Sequence, residues 1–424
     1  MATCTVLSGS LTSVSVAEQV DTVPSKVGLS TFYYAEENRV SVNTTHVSIE
    51  NELDDEAVFR ANFIYDTITG ASPNGRIITS GPVSNGSIPF TSASGFTLSV
   101  NDSGSAGKKW LTEFSDKRAA VDLSLERLLS RVITGTLEGS FSSENDFTSY
   151  GAAATLRRDL NQRNTTVTGG LSILKETVSP ASGTPLGLAI SNCNTSAAAI
   201  AARPAWANCN ITTPRFGNGQ KRVFDGFVGV TQVLNQRTIT QLNFSHGVSL
   251  GYLTDPYKLI SVVDETLDSE EAIILYEKRP DRRVRNSLYW KVISQLNPKE
   301  VVDFSYRYFW DDWGVASHTF DYKYRYDYAP KSYLQPHVRV NIQSRADFFM
   351  HAIDSSESSL PQYASADYRL GKLSTYSLGI KYGKELSKNG SFTIRAEYIQ
   401  QRYADLQLPN MSALVYQGTF TFKF

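Results

Sequence analysis

The sequence ends in Leu-Val-Tyr-Gln-Gly-Thr-Phe-Thr-Phe-Lys-Phe, residues 414–424, and this stretch decides the fold. Successive side chains of a β-strand point to opposite faces. One face of this strand is therefore apolar and aromatic, and it carries Leu414, Tyr416, Gly418, Phe420, Phe422 and Phe424. The other face carries Val, Gln, two Thr and Lys. The pattern is typical of the last strand of a membrane-spanning β-barrel, whose exterior is apolar and whose lumen is polar. The last strand of a soluble β-sandwich is the alternative.

The same alternation recurs upstream. From Phe320 to Tyr328 every even position is Phe or Tyr, and the odd positions include Asp321, Lys323 and Arg325. An aromatic face repeated over half a dozen long strands is too extensive for the core of two stacked sheets. Strands of about ten residues also match a tilted bilayer crossing. The sequence therefore predicts a closed barrel, which leaves no unpaired strand edge in lipid.

The predicted fold is an all-β, closed antiparallel transmembrane β-barrel of about 16 strands, formed by residues 27–424. Every long connection falls on one side of it, at about 68–117, 176–220, 248–283 and 344–374. Links on the other side are short. This asymmetry predicts short periplasmic turns, long extracellular loops and two periplasmic termini in the outer membrane of a Gram-negative bacterium.

Composition agrees with this interpretation. Hydrophobic residues make up 41% of the chain, yet no run of apolar residues is long enough for a transmembrane helix. A barrel needs only every second strand residue to face lipid. The 41 basic and 42 acidic residues leave a formal charge of −1, which argues against a nucleic-acid partner.

The N-terminal part and the cysteines bear on the compartment. Residues 1–17 resemble the end of a secretory signal peptide, since Ser15-Val16-Ala17 has the form of a cleavage site. We interpret 18–26 as a periplasmic segment. Cys193 and Cys209 are predicted to form a disulfide, which would remove on the order of 3 kcal/mol of unfolded-state entropy in an oxidising compartment. Two free, solvated thiols are the alternative.

Charged side chains on the non-aromatic face are the candidate functional residues. The predicted lumen-lining set is Asp303, Arg307, Asp321, Lys323, Arg325, Asp327, Arg339, Lys381, Arg395, Glu397 and Lys423. Such charges either set the selectivity of a pore or pair across strands as a structural network.

Neither catalysis nor a cofactor is expected. The five His residues have no Ser or Asp at a spacing that identifies a catalytic set, and there is no haem-attachment motif. Asp311 and Asp312, with nearby His318, are suitable ligands for a divalent cation, but adjacent Asp residues in a turn are more often turn formers. We predict no metal site.

Two further segments leave alternatives open. Residues 70–109 are rich in Gly, Ser, Asn and Pro and are interpreted either as a plug or as a surface loop. Asp255–Lys258 and Arg345–Phe349 lie at the bases of long loops. They either fold the loops inward as a constriction or anchor them at the rim.

Short motifs recur along this frame, at Asp66–Asn74, Val230–Leu234, Asp255–Leu259, Ser305–Phe309, Arg345–Phe349, Ser365–Leu370 and Glu397–Arg402. Together they resemble an uncharacterised bacterial family of predicted outer-membrane β-barrels, a domain of unknown function. The resemblance covers about Val27 to Phe424, and it implies no catalytic residues. Genes for a small lipoprotein, a thioredoxin-like protein and a flavin-attaching transferase often neighbour members of this family, so the resemblance implies envelope redox work.

Three functions remain open at this point. The first is a porin-like channel with a mixed-charge lumen. The second is a barrel that docks a lipoprotein or an envelope redox or secretion partner without a free pore. The third is a barrel that only anchors surface loops. Expected partners are outer-membrane lipid, the barrel-assembly machinery through the strand that ends at Phe424, and a small lipoprotein or periplasmic redox protein.

Overall fold

Sixteen strands form a closed antiparallel barrel, which confirms the predicted fold class. The structure is a computed structural model that describes residues 25–37, 39–76, 89–91, 97–99, 110–195, 197–210, 213–264, 270–404 and 409–424. The segment interpreted as a signal-peptide remnant, 1–17, and most of 18–26 and 70–109 lie outside these residues. None of the described helices is long and apolar enough to cross a bilayer.

The elements of the described residues comprise the sixteen barrel strands, in a simple up-and-down order, and shorter elements in the connections between them. They are β1 (Lys26–Glu36), β2 (Val40–Asp54), β3 (Ala57–Pro73), β4 (Pro89–Thr91), β5 (Thr97–Ser99), β6 (Leu111–Ser130), β7 (Ile133–Ser143), β8 (Phe147–Leu160), β9 (Thr165–Val178), β10 (Thr184–Pro185), β11 (Ile190–Cys193), α1 (Ala197–Ala201), β12 (Arg215–Phe216), β13 (Gly219–Asn235), β14 (Thr238–Gly251), β15 (Leu259–Asp264), β16 (Glu270–Tyr276), β17 (Arg282–Asn297), β18 (Glu300–Asp311), β19 (Ala316–Ala329), β20 (Ser332–Gln343), β21 (Ala352–Asp354), a 3₁₀ turn (Tyr368–Leu370), β22 (Leu373–Glu385), β23 (Gly390–Tyr403) and β24 (Met411–Lys423).

Closure follows from the pairing of the first and last strands. The barrel order is β1-β2-β3-β6-β7-β8-β9-β13-β14-β17-β18-β19-β20-β22-β23-β24. β1 then pairs antiparallel with β24, from Lys26 opposite Lys423 to Glu36 opposite Ala413. Every strand therefore has two hydrogen-bonded neighbours, as lipid requires of a β-structure.

The apolar face of the strands forms the outside of the barrel. Large hydrophobic side chains on this face are solvent-exposed in the isolated chain, and the neighbouring residues point inward, away from this surface. A soluble protein rarely exposes so large an apolar surface, whereas an outer-membrane barrel presents it to lipid. The fold is therefore that of an outer-membrane β-barrel, with exposed positions that include Phe63, Leu123, Leu171, Leu242, Trp290, Phe320, Val338, Leu378, Ile394 and Phe420.

Short connections on one end of the barrel share a local mechanism. At three of them an Asp or Asn side chain accepts a hydrogen bond from the backbone N–H two residues ahead. These acceptors are Asp54 (2.8 Å), Asn235 (2.9 Å) and Asn297 (2.9 Å). We name this the turn end. Successive connections of an up-and-down barrel lie at alternate ends. The four long connections therefore lie at the opposite end, which we name the loop end.

Strands β11, β16, β15 and β21 form a second sheet within three of the long loops. The strands pair in that order, and only β15 and β21 are parallel. We call this sheet, with the chain around it in 179–210, 213–218, 252–264, 270–281 and 344–372, the cap. The long segments predicted as loops therefore contain a folded unit at the loop end.

Candidate functional site: the lumen and its cap

A chain of charged groups crosses four strands on the inner wall of the barrel. His337 of β20 lies between two carboxylates: its Nε2 is 2.9 Å from Asp321 Oδ2, and its Nδ1 is 3.2 Å from Glu397 Oε2. Lys323 pairs with Asp321 at 2.9 Å, and Arg395 pairs with Glu397. All three central side chains are buried. The arrangement balances the two carboxylates with flanking cations.

A glycine makes the bridge to Glu397 geometrically possible. Strand β22 lies between β20 and β23, and its Gly379 is the residue opposite both His337 and Glu397. A side chain on Gly379 would point into the lumen between them, because the flanking residues Leu378 and Ile380 face outward and are exposed. With no side chain there, the imidazole reaches the carboxylate across the intervening strand.

Other residues of the predicted lumen set make shorter-range contacts. Asp303 pairs with Lys291 at 3.1 Å, and Arg325 pairs with Asp327 at 2.9 Å. Arg307 lies over the ring of Tyr289, 5.5 Å from its centre. The contacts of Asp303 and Arg307 join neighbouring strands, whereas the pair of Arg325 and Asp327 lies within one strand.

Two cations of the predicted set lie close to the ring of Tyr333. The guanidinium carbon of Arg325 lies 4.0 Å from the centre of its ring, and Lys381 Nζ lies 6.0 Å away. Lys423 lies apart from these groups, at the end of β24 opposite Lys26 of β1. The set predicted from the sequence is thus not one cluster but a network with its centre on β19, β20 and β23.

Several charged side chains of the inner wall remain accessible to water. The exposed fraction is 50% for Arg339, 43% for Arg325 and 36% for Lys323. A cavity of about 580 Å³ lies at the turn end, and its lining includes Arg325, Asp327, Tyr333, Lys384 and Thr393. The inner wall is therefore in part a wet surface rather than a packed core.

The structure separates the residues considered as cation ligands in the β18–β19 hairpin. Asp311 Oδ1 accepts hydrogen bonds from the backbone of Trp313 (3.0 Å) and Val315 (2.9 Å), and its other oxygen pairs with Arg283 (2.7 Å). His318 instead lies 2.8 Å from the Tyr306 hydroxyl. Asp311 is thus a turn-forming residue, the alternative interpretation of this motif.

The cap reaches across the loop end of the barrel. Its segment at 252–264 follows β14, yet it contacts β3 and the β7–β8 turn, which lie on another part of the barrel wall. The Tyr257 hydroxyl donates to Asp146 Oδ2 at 2.6 Å, and Lys258 Nζ donates to Ser72 Oγ at 3.3 Å. These contacts place loop residues over the mouth instead of beside their own strands.

The opposite part of the rim holds the cap through aromatic contacts. Phe348 packs edge-on against Trp313 of the β18–β19 hairpin, with ring centres 5.1 Å apart. Tyr368 packs against Tyr403 of β23 at 5.7 Å. Because the cap is attached at both parts of the rim, it spans the mouth.

Buried charges join the loops that form the cap. Arg369 pairs with Asp255 at 2.8 Å, and Arg279 pairs with Asp367 at 2.7 Å, so 344–372 is tied to 252–281. Glu277 also pairs with Arg279 (2.6 Å). Removing one partner of such a buried pair typically costs about 3–5 kcal/mol, because the other charge is left without compensation.

The surroundings of these groups shift their pKa values in different directions. Burial raises the pKa of Asp367, but Arg369, Lys258 and Arg279 outweigh it and hold the pKa well below its ordinary range. Burial raises the pKa of Glu277, and Arg279 only partly opposes it. Burial lowers the pKa of Lys258. The cap thus holds Asp367 ionised.

An apolar core and a disulfide complete the cap. Ile260 and Val262 of β15 and Ile273 and Leu275 of β16 are buried and belong to one hydrophobic cluster. Cys193 of β11 packs against this core and is bonded to Cys209, with Cα atoms 6.0 Å apart. The disulfide closes the segment that contains α1 onto the sheet.

At the centre of each network lie residues that were not predicted from the sequence: His337 in the lumen, and Glu277 and Arg279 in the cap. His337 was not in the lumen set, although it shares the inner face of β20 with Arg339. Glu277 and Arg279 fell within a segment interpreted as loop. Their signal is the run Ala-Ile-Ile-Leu-Tyr at 272–276, whose continuous apolar character is typical of a strand buried on both faces.

Comparison with known proteins supplies a family. The sequence model of the family described as "Protein of unknown function (DUF3570)" matches residues 1–417. No curated protein sequence matches the chain. Among solved structures, the CymD monoaromatic hydrocarbon channel is 8% identical, with a TM-score of 0.39; the match covers 95% of this chain and 89% of that one.

Two other solved structures are similar to a comparable degree. A bacterial polysaccharide outer membrane secretin is 11% identical over 95% of this chain and 98% of its own, with a TM-score of 0.46. The siderophore receptor PirA from Acinetobacter baumannii is 9% identical over 90% of this chain and 53% of its own, with a TM-score of 0.42.

Proposed function

We propose that this chain, which belongs to the DUF3570 family of proteins of unknown function, is a porin-like channel of the bacterial outer membrane. The turn end and both termini face the periplasm, and the loop end with its cap faces the outside. A closed barrel of sixteen strands supports this proposal, since barrels of that size enclose an aqueous channel in porins.

The observation that carries the proposal is the wet, charged inner wall. Arg339 and Arg325 are 50% and 43% exposed, although they point into the barrel. A lumen filled by side chains would bury them. Their charges are mixed with acidic neighbours, so the channel would discriminate among solutes by local field rather than by one overall sign.

Passage would be passive and controlled at the loop end. The cap spans the mouth through Tyr257 on one part of the rim and Tyr368 on another. A solute entering from outside would have to pass beside or displace this cap. Long extracellular loops that narrow a pore act in this way in outer-membrane barrels.

Single-channel recording of the purified protein in a planar bilayer tests the proposal. We expect a steady current, and we expect Arg325→Glu and Arg395→Glu to shift the reversal potential in a KCl gradient toward greater cation preference, since each replaces a lumen cation by an anion. Lys388→Glu, the same charge change in an exposed turn, is the control. A silent protein would contradict the channel, and an equal shift for the control would contradict the lumen positions of Arg325 and Arg395.

The cap also favours a second candidate function. A mouth spanned by a folded unit with buried ion pairs suits a barrel that docks a lipoprotein or an envelope redox or secretion partner without a free pore. In this case the bilayer shows no current, and a specific protein of the envelope co-purifies in mild detergent. Absence of both current and partner would contradict both candidates.

A further inference from the structure

Three carboxylates meet at the loop end, away from the lumen network. Asp116 belongs to β6, and Glu144 and Asp146 belong to the β7–β8 turn. One carboxylate oxygen from each residue lies within 4.8 Å of the others. Asp116 is 1% exposed and Asp146 is 4% exposed. Three carboxyl groups are therefore held together where little water reaches them.

Two of the buried oxygens lack a hydrogen-bond partner. Asp116 Oδ2 and Asp146 Oδ1 have none, within the part of the chain that the structure describes. The other oxygen of each residue is used: Asp116 Oδ1 accepts from the backbone of Lys117 at 2.8 Å, and Asp146 Oδ2 accepts from Tyr257 at 2.6 Å. These two buried oxygens are thus unused acceptors.

No cation of the described chain compensates the cluster by a direct ion pair. The nearby Arg118 pairs instead with Asp66 at 2.6 Å. Unpaired buried charge is costly in a folded protein, so buried charges are found paired or bound to metal ions. A cation among these carboxyl groups would therefore stabilise them.

We propose that Asp116, Glu144 and Asp146 bind a divalent cation, Ca²⁺ in the first place. Ca²⁺ takes oxygen ligands at about 2.3–2.6 Å, so ligand atoms that share one ion lie at most about 5.2 Å apart, as these do. The all-oxygen set disfavours Zn²⁺, which is usually held with His or Cys. Water and backbone carbonyl groups complete such a shell.

The site connects the cation to the cap. Asp146 receives its hydrogen bond from Tyr257, a cap residue. A bound Ca²⁺ would fix the β7–β8 turn to β6 and, through Tyr257, would steady the cap on this part of the rim. The proposal concerns a site separate from the charged network on β19, β20 and β23, and it holds whether or not the barrel conducts.

Calcium titration of the purified, EDTA-treated barrel in detergent tests the site. We expect one saturable site by calorimetry, with a Kd below about 1 mM, and Tb³⁺ luminescence excited through Tyr that Ca²⁺ displaces. The double variant Asp116→Asn/Asp146→Asn should bind at least tenfold more weakly. The matched control is Asp54→Asn/Asp55→Asn, two exposed Asp residues at the turn end, which should bind like the unaltered protein.

Folding of each variant is checked by its heat-modifiable migration in gels. Glu144→Gln, at the less buried member of the cluster, gives a second test if the double variant does not fold. It too should weaken binding at least tenfold. No saturable binding by the unaltered protein, or unchanged affinity in the folded cluster variants, would overturn the proposal.

Discussion

Gly379 leaves room in the lumen for a contact between side chains of the two strands on either side of it. It lies between His337 and Glu397 in the barrel order, and both side chains meet over it. A Cβ atom added there would lie 3.2 Å from Glu397 Cβ and 3.1 Å from the Ala396 carbonyl oxygen. The bridge from β20 to β23 therefore depends on glycine at this position.

We predict that Gly379→Val destabilises the barrel and breaks the contact between His337 and Glu397. Overpacking of this kind typically costs about 1–3 kcal/mol. The thermal midpoint of gel migration in detergent measures the effect. Gly139→Val is the matched control, since a Cβ on Gly139 meets no atom within 4 Å and should change stability by less than about 0.5 kcal/mol. Equal effects of the two variants would contradict this role for Gly379.

Asp367 supplies the acid dependence of the cap. Its pKa is lowered in the folded state, so its contribution to stability is present at neutral pH and is lost as the pH falls below the ordinary Asp value of about 3.9. We predict that limited proteolysis of the cap stays slow from pH 7 to pH 5 and accelerates below pH 4.

Substitution at this residue separates its effect from general acid unfolding. Asp367→Asn should expose the cap at neutral pH, with a loss of about 3–5 kcal/mol from the buried network, and should flatten the pH dependence. Asp281→Asn, at an exposed loop residue, is the control. A pH profile of Asp367→Asn that matches that of the unaltered protein would argue against the assignment.

At the scale of elements, the barrel strands could be predicted because their signal is local and repeats. The barrel strands carry the two-residue alternation that lipid on one side and water on the other impose. Only their ends were misplaced: β3 runs to Pro73 and β6 begins at Leu111, because these strands continue beyond the apolar band.

The cap could not be predicted in the same way. β15 and β21 are parallel neighbours, yet they come from different loops. Their short sequences do not indicate that these two strands pair. The pair Arg279–Asp367 is likewise formed by residues of different loops. Such long-range contacts depend on the closed barrel bringing the loop bases together.

The contribution of the disulfide to the stability of the cap can be tested directly. We predict that reduction of Cys193–Cys209, or Cys193→Ser/Cys209→Ser, speeds proteolysis of 179–218 while the barrel stays folded. Closure of a loop of this length is worth about 3 kcal/mol. The control is the reductant itself, which should have no further effect on the double Ser variant. Unchanged cleavage after reduction would refute a stabilising role.

The whole molecule combines two surfaces with opposite requirements. Its outer wall exposes large apolar side chains such as Leu378, 64% exposed, and its inner wall keeps ionised groups such as Arg339 in contact with water. Contact with water would be unfavourable for the apolar outer wall, and contact with lipid would be unfavourable for the charged inner wall. The closed strand order reconciles them, because every residue of a strand faces one medium or the other.

This division predicts that the cost of one added charge depends on the wall that receives it. Leu378→Arg, on the outer wall, should destabilise the folded barrel by about 2–4 kcal/mol, as Arg does near the bilayer midplane. Thr393→Arg, at a position that lines the cavity, should be nearly neutral, since its guanidinium reaches water. Unfolding titrations in lipid vesicles measure both, and a larger loss for Thr393→Arg would reverse the assignment of the two faces.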